Sequence, residues 1–226
     1  GFGAVTLSAT EQFIGGRSGL DATLNTAGNL DIVSSRLASG AGANVRLAAI
    51  NAAGEASGAV RLLAPASPAT NLAAVTALGG GLDVLGTSIL LGTRIDLPSG
   101  DVRLRATGPD GISLSSPARI NVAGVDTRFG DAVLGSVGGR IDLRADQGAI
   151  TLAGGSMLDA SGAASGANAG RVELHAAGAL DLASGAVIAA RSAAGLRGGT
   201  AIISAANLAR GFAALNTQLA AGGIND

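Results

Sequence analysis

Gly138-Gly139-Arg140-Ile141-Asp142-Leu143-Arg144-Ala145, then Gly148-Ala149-Ile150-Thr151-Leu152, then Gly170-Arg171-Val172-Glu173-Leu174 is the stretch that decides the fold. In each unit a glycine precedes an apolar residue, a polar one and another apolar one. Apolar residues two apart point to the same side of a strand, so each unit reads as a short, half-buried strand with a glycine corner in front of it. The same unit recurs at Gly100-Asp101-Val102-Arg103-Leu104, Gly111-Ile112-Ser113-Leu114 and Ala179-Leu180-Asp181-Leu182. Less regular copies precede these at Gly3-Ala4-Val5-Thr6-Leu7, Gly28-Asn29-Leu30-Asp31-Ile32, Gly58-Ala59-Val60-Arg61-Leu62 and Gly81-Leu82-Asp83-Val84.

Strand starts about 8–10 positions apart suit meanders, sandwiches and solenoids alike. Composition separates them. The chain is 47% hydrophobic but only 2% aromatic, so its interior must be a narrow space filled by small aliphatic groups. Two-residue hairpin turns such as Asn-Gly are missing. The units also group in threes, as in Val102/Ile112/Ile120, Ile141/Ile150/Leu158 and Val172/Leu180/Val187. Three short faces per coil describe a parallel β-helix, an all-β solenoid. Stacking like positions would set Arg103, Asp142 and Glu173 in one outward column, with Asp142 unfavourably beside Glu173.

The coils are expected over residues 1–204, with insertions near 64–80, 123–139 and 160–170, and a helical cap over 205–226. Ser67-Pro68 followed by Leu72, Val75 and Leu78 at helical spacing predicts a short helix in the first insertion. Leu208, Phe212, Leu215 and Leu219 share a helical face near the C-terminus. Arg128, Phe129 and Asp131, in the second insertion, are the candidate contact loop, because departures from a solenoid repeat become loops on one face.

Chemistry is hard to place. Asp31, Asp83, Asp96, Asp142 and Asp181 each sit between inward apolar residues, so they are expected to point outward into solvent. His175 is the sole histidine and has no nucleophile or metal partner beside it in sequence. Ser34-Ser35, Ser115-Ser116 and Ser156 lie in no Gly-x-Ser-x-Gly elbow, and no Walker loop occurs. Gly79-Gly80-Gly81-Leu82-Asp83 has the wrong spacing for a calcium-binding nonapeptide. The expectation is therefore no catalytic, metal or cofactor-binding residue, and no enzyme.

Net charge is −1, every basic residue but the single histidine is arginine, and none forms a basic stripe, so nucleic acid is not expected as a partner. No cysteine is present, so disulfides and thiolate metal sites play no part. The apolar run from Asn71 to Thr93 is broken by Gly79, Gly80, Gly81 and Asp83, which argues against a membrane span. Beginning Gly1-Phe2-Gly3 without a signal-peptide pattern, the chain reads as a piece of a longer protein.

The run from Gly138 to Ala145, with Gly148-Ala149-Ile150-Thr151-Leu152, Met157-Leu158-Asp159-Ala160-Ser161-Gly162 and Gly170-Arg171-Val172-Glu173-Leu174, resembles the filamentous haemagglutinin-like exoproteins of Gram-negative bacteria. The resemblance rests on repeat texture and spans most of the chain. It implies a right-handed parallel β-helical shaft, export through an outer-membrane two-partner secretion transporter, a secreted or cell-surface location, and adhesion to host-cell or bacterial receptors or glycans. No Asn-Pro occurs here, so the family's secretion region is not part of this stretch and no functional residue carries over. A carbohydrate-active β-helix enzyme and a passive spacer for a distal toxin or binding tip are the alternatives.

Overall fold

The computed structural model describes residues 4–224. The chain winds through β1 (Ala4–Ala9) and β2 (Phe13–Gly15), then β3 (Ala22–Thr26), β4 (Asn29–Ser34) and β5 (Arg36–Ser39). The next turn holds β6 (Asn44–Ala49) and β7 (Val60–Leu63), and the one after it β8 (Gly81–Gly86), β9 (Ile89–Gly92) and β10 (Arg94–Asp96). There follow β11 (Asp101–Ala106), β12 (Ile112–Leu114) and β13 (Arg119–Asn121), then a hairpin of β14 (Asp126–Phe129) and β15 (Ala132–Gly135). Regular winding resumes with β16 (Arg140–Ala145), β17 (Ile150–Leu152), β18 (Met157–Asp159), β19 (Arg171–Leu182), β20 (Val187–Ala189) and β21 (Thr200–Leu208), and ends in helix α1 (Gly211–Ala221).

Apart from the hairpin, these strands pair in parallel along three faces. The first face runs β3-β6-β8-β11-β16-β19-β21, the second β1-β4-β7-β9-β12-β17-β19, and the third β2-β5-β10-β13-β18-β20. The first two faces join because β19 continues around a corner. Its residues Arg171–Ala176 pair with β16 and Leu180–Leu182 with β17. The fold is thus the parallel β-helix that the repeat implies. Unit Gly3-Ala4-Val5-Thr6-Leu7 forms β1, its glycine lying outside the described residues.

Inward side chains stack into aliphatic columns. Leu47, Val84, Leu104, Leu143 and Leu174 succeed one another on the first face, Val60, Ile89, Ile112, Ile150 and Leu180 on the second, and Leu37, Ile95, Ile120, Leu158 and Ile188 on the third. All are buried, and burial of about 1.5–3 kcal/mol per side chain supplies most of the stability. Ile188, rather than the expected Val187, fills the third-face column, because Val187 pairs with Met157 and Ile188 with Leu158.

The corner glycines are there for close approach. Between the third and first faces, a Cβ on Gly139 would lie 2.0 Å from the Gly100 carbonyl oxygen, and one on Gly170 would lie 1.9 Å from that of Gly139. Successive coils stack backbone on backbone at this corner, which leaves no room for any side chain.

Insertions depart from expectation in two ways. Residues 64–80 form no helix. The third face has no strand between β5 and β10, which pair directly, so the chain leaving β7 must cross outside that face in an extended path. Its backbone is recruited on the way, Ala69 N–H donating to Ser35 Oγ (2.8 Å) and Ala73 C=O accepting from Arg36 Nη1 (2.7 Å). Capture of these backbone groups by side chains works against a short helix, which has little stability of its own. Residues 123–139 hold the β14/β15 antiparallel hairpin, whose two-residue turn Gly130-Asp131, with Gly130 at φ +59°, corrects the expectation that such turns are missing.

This crossing strap also overturns the expectation for Asp96. Its side chain points away from the core, as alternation demands, yet it is buried beside Arg36 (3.9 Å) and Arg94 (3.2 Å). At the C-terminal end β21 runs on to Leu208, and α1 seals the last coil with Leu215 set against Leu180, Leu182 and Leu208. Ala190 N–H donates to Gly222 O (3.0 Å), so the chain after the helix stacks where another third-face strand would lie. Leu208 belongs to a strand and Phe212 is exposed, so the apolar helix face is narrower than the four expected residues. No helix among the described residues is long and apolar enough to cross a membrane.

Candidate functional site

Outward positions of the first face carry the chain's densest chemistry. On β11, β16 and β19 the alternation that buries Val102/Leu104, Ile141/Leu143 and Val172/Leu174 turns out every intervening residue. Parallel register then sets Asp101, Arg140 and Arg171 in one column, Arg103, Asp142 and Glu173 in the next, and Arg105, Arg144 and His175 in a third. Adjacent members of a column stand one strand apart, about 4.8 Å. Three coils far apart in sequence thereby assemble one ionic surface.

The middle column is the one expected from sequence, and its unfavourable contact is resolved by a neighbour. Arg140 Nη2 donates to both Asp142 Oδ2 and Glu173 Oε2, each at 3.0 Å. Burial alone would lower the Arg140 pKa, but the hydrogen bond and attraction from Glu173, with Asp142 and Asp101 adding, raise it overall. Arg171 Nε lies 2.9 Å from Glu173 Oε1 as an ion pair, and Arg103 Nη2 donates to Asp101 Oδ2 (2.6 Å).

On the third column one carboxylate holds two guanidiniums. Asp146, just past the end of β16, accepts from Arg144 Nε at Oδ1 and from Arg105 Nε at Oδ2, both at 2.8 Å. Burial pushes the Asp146 carboxyl up, but the two arginine hydrogen bonds and their charges outweigh it and hold it below its ordinary value.

Sequence reasoning placed Arg103, Asp142 and Glu173 together but took the carboxylates as scattered, solvated singles. What it missed is that Arg140, Arg144, Asp146 and Arg171 converge on the same surface. The signal was available in the shared Gly-x-apolar-x-apolar unit, once Gly100, Gly139 and Gly170 are superposed and the residues between Asn121 and Gly138 are set aside as an insertion. His175 is not isolated either, as its Nε2 lies 3.7 Å from Glu173 Oε2.

Asp142, Glu173 and His175 bring one potential ligand atom each within 4.8 Å of one another. Both carboxylates already accept from Arg140, and Arg103, Arg144 and Arg171 stand next to them in the columns, so positive charge surrounds the point a cation would occupy.

Arg128, Phe129 and Asp131 occupy the exposed end of the β14/β15 hairpin, at the corner between the third and first faces. Phe129, Val133 and Leu134 leave 62, 43 and 61% of their surface exposed. Below them the loop at 160–170 is tied on, with Ser165 Oγ donating to Asp126 Oδ1 (2.6 Å). One further coil along, Arg197 N–H donates to Asn168 Oδ1 (3.0 Å). Hairpin and loops form a ridge bordering the ionic face.

The geometry defines a parallel β-helix with one ionic lateral face and an apolar-tipped ridge beside it. No protein-family model matches the chain, and no curated protein or solved structure is detectably similar to it.

Proposed function

We propose that the chain is a structural and adhesive shaft segment of a secreted or cell-surface bacterial exoprotein of the filamentous haemagglutinin type, and that it is not an enzyme. The observation that carries this reading is lateral presentation. A solenoid whose stability comes from stacked aliphatic columns holds an ionic face and a ridge tipped by Phe129 and Leu134 outward, in fixed relation to each other. Exposed apolar groups rimmed by polar ones are typical of interaction surfaces. The repeat texture quoted above supports the family and, with it, export by an outer-membrane two-partner transporter and recognition of host-cell or bacterial receptors or glycans.

Attachment of the fluorescently labelled chain to epithelial cells and to bacteria tests the proposal. Saturable attachment is expected, reduced in Phe129→Ser/Leu134→Ser. Attachment no better than that of an unrelated protein of equal charge would leave only a spacer role. The approach of Asp142 and Glu173 is the one observation favouring a carbohydrate-active enzyme. Release of new reducing ends from a panel of acidic and neutral polysaccharides, lost in Asp142→Asn and Glu173→Gln, would establish that reading instead.

A further inference from the structure

On the third column of the ionic face the two arginines are held in a way that leaves their outer ends unused. Arg105 and Arg144 sit at paired positions on adjacent strands, and each spends only its Nε on Asp146. Their terminal nitrogens make no hydrogen bond among the described residues, and the two side chains are 55 and 61% exposed. A guanidinium anchored at Nε is pre-oriented. Its remaining N–H groups form a fork suited to an oxyanion, and fixing it beforehand reduces the entropy lost on binding.

Asp146 neutralises one of the two charges, so the pair keeps a net positive charge. The column continues through His175 to Ser204 on β21, one polar side chain per strand along the helix axis. A shallow depression of about 390 Å³ lies over this strip, lined by Arg105, Arg144, Asp146, His175 and Ser204. Donors repeated at strand spacing, about 4.8 Å, come close to the length of one sugar unit in an extended polysaccharide.

We propose that Arg105 and Arg144, continued by His175 and Ser204, bind the carboxylate or sulfate groups of a linear acidic polysaccharide lying along the helix axis. The inference deepens the adhesive reading and rests on it. Single-stranded nucleic acid is disfavoured because bases need aromatic side chains to stack on, and none of the four phenylalanines lies on β11, β16, β19 or β21.

Binding of the intact chain to immobilised heparin (sulfate and carboxylate) and polygalacturonate (carboxylate alone) is the test, with neutral dextran and single-stranded DNA alongside. Salt-sensitive binding to at least one polyanion is expected, weakened about tenfold or more in Arg105→Gln/Arg144→Gln. Arg61→Gln/Arg210→Gln, which removes the same charge elsewhere, should leave it within about twofold. Heparin binding without polygalacturonate binding assigns the site to sulfate, and binding of both assigns it to carboxylate as well.

The proposal is overturned if neither polyanion binds, if both double variants lose affinity equally, or if DNA binds as tightly and depends on the same arginines. Unchanged circular dichroism and melting of Arg105→Gln/Arg144→Gln keep misfolding from imitating the expected loss. If that variant melted early, the milder Arg105→Lys/Arg144→Lys, which keeps charge and loses the fork, must still weaken binding. Cell attachment of the native chain separates the two readings, since attachment without binding to either polyanion overturns this site and leaves the adhesive reading standing.

Discussion

Arg140 reaches from the first column of the ionic face to both acidic members of the second, Asp142 on its own strand and Glu173 on the next, at 3.0 Å each. Two carboxylates in successive coils would otherwise face each other one strand apart. Replacing Arg140 by Met keeps the apolar stem and removes the shared donor. The expected loss is about 1–2 kcal/mol, seen as a lower melting temperature in dilute buffer. Added salt should shrink the difference, because screening weakens the repulsion left behind. Equal losses at low and high salt would point to packing and not charge.

Gly139 lies where consecutive coils touch through their backbones, and its Cβ would meet the Gly100 carbonyl oxygen at 2.0 Å. Neither backbone can yield without moving a whole coil. Gly139→Ala should cost about 3 kcal/mol or more. At Gly198 the nearest atom to an added Cβ is 3.7 Å away, so Gly198→Ala should be close to neutral. Chemical denaturation of both variants checks the contrast.

How much of this was legible depended on whether a feature was local. Alternation around Val102, Ile141 and Val172 is local, so the strands, their inward residues and the Arg103/Asp142/Glu173 column could be read directly. Asp96 obeys the same alternation but is buried, because a strap from elsewhere in the chain covers it, and no periodicity within β10 records that. Val187 and Ile188 are both apolar, so only pairing with β18 shows which one faces the core. Leu72, Val75 and Leu78 keep helical spacing in a segment whose backbone groups are instead bonded to Ser35 and Arg36. The ionic surface fell between these cases, written in strict alternation but interrupted by a hairpin between two of its three rows.

Arg36 and Asp96 form a buried charged pair under the strap, each side chain 6% exposed, and Arg36 also holds the strap through Ala73. Arg36→Met leaves Asp96 buried with Arg94 as its remaining partner and frees the strap. The expected cost is about 3 kcal/mol, with faster hydrogen exchange and proteolysis in residues 64–78. Adding Asp96→Asn should recover part of the stability but not the protection of the strap.

Asp146 is held below its ordinary carboxylate pKa by Arg105 and Arg144. A group depressed in the folded state stabilises it fully above the unfolded pKa and loses that contribution as pH falls through the folded one. The melting temperatures of the native chain and Asp146→Asn should therefore differ by a constant amount near neutrality. The difference should narrow once pH drops below the ordinary carboxylate range. A gap unchanged down to strongly acidic pH would contradict the assignment.

The register of the first face underlies the ionic surface and every role assigned to it, and the absence of native cysteine allows it to be measured directly. Arg103 and Asp142 are paired positions on β11 and β16, within the Cα separation of roughly 4.4–6.8 Å that a disulfide spans. Mild oxidation of Arg103→Cys/Asp142→Cys should give an intramolecular disulfide, visible as faster migration in non-reducing electrophoresis. Arg103→Cys/Arg144→Cys, two residues out of register, should not. Crosslinking of the second pair in preference to the first would show that the columns are wrongly aligned and that the charged residues of these coils do not form one surface.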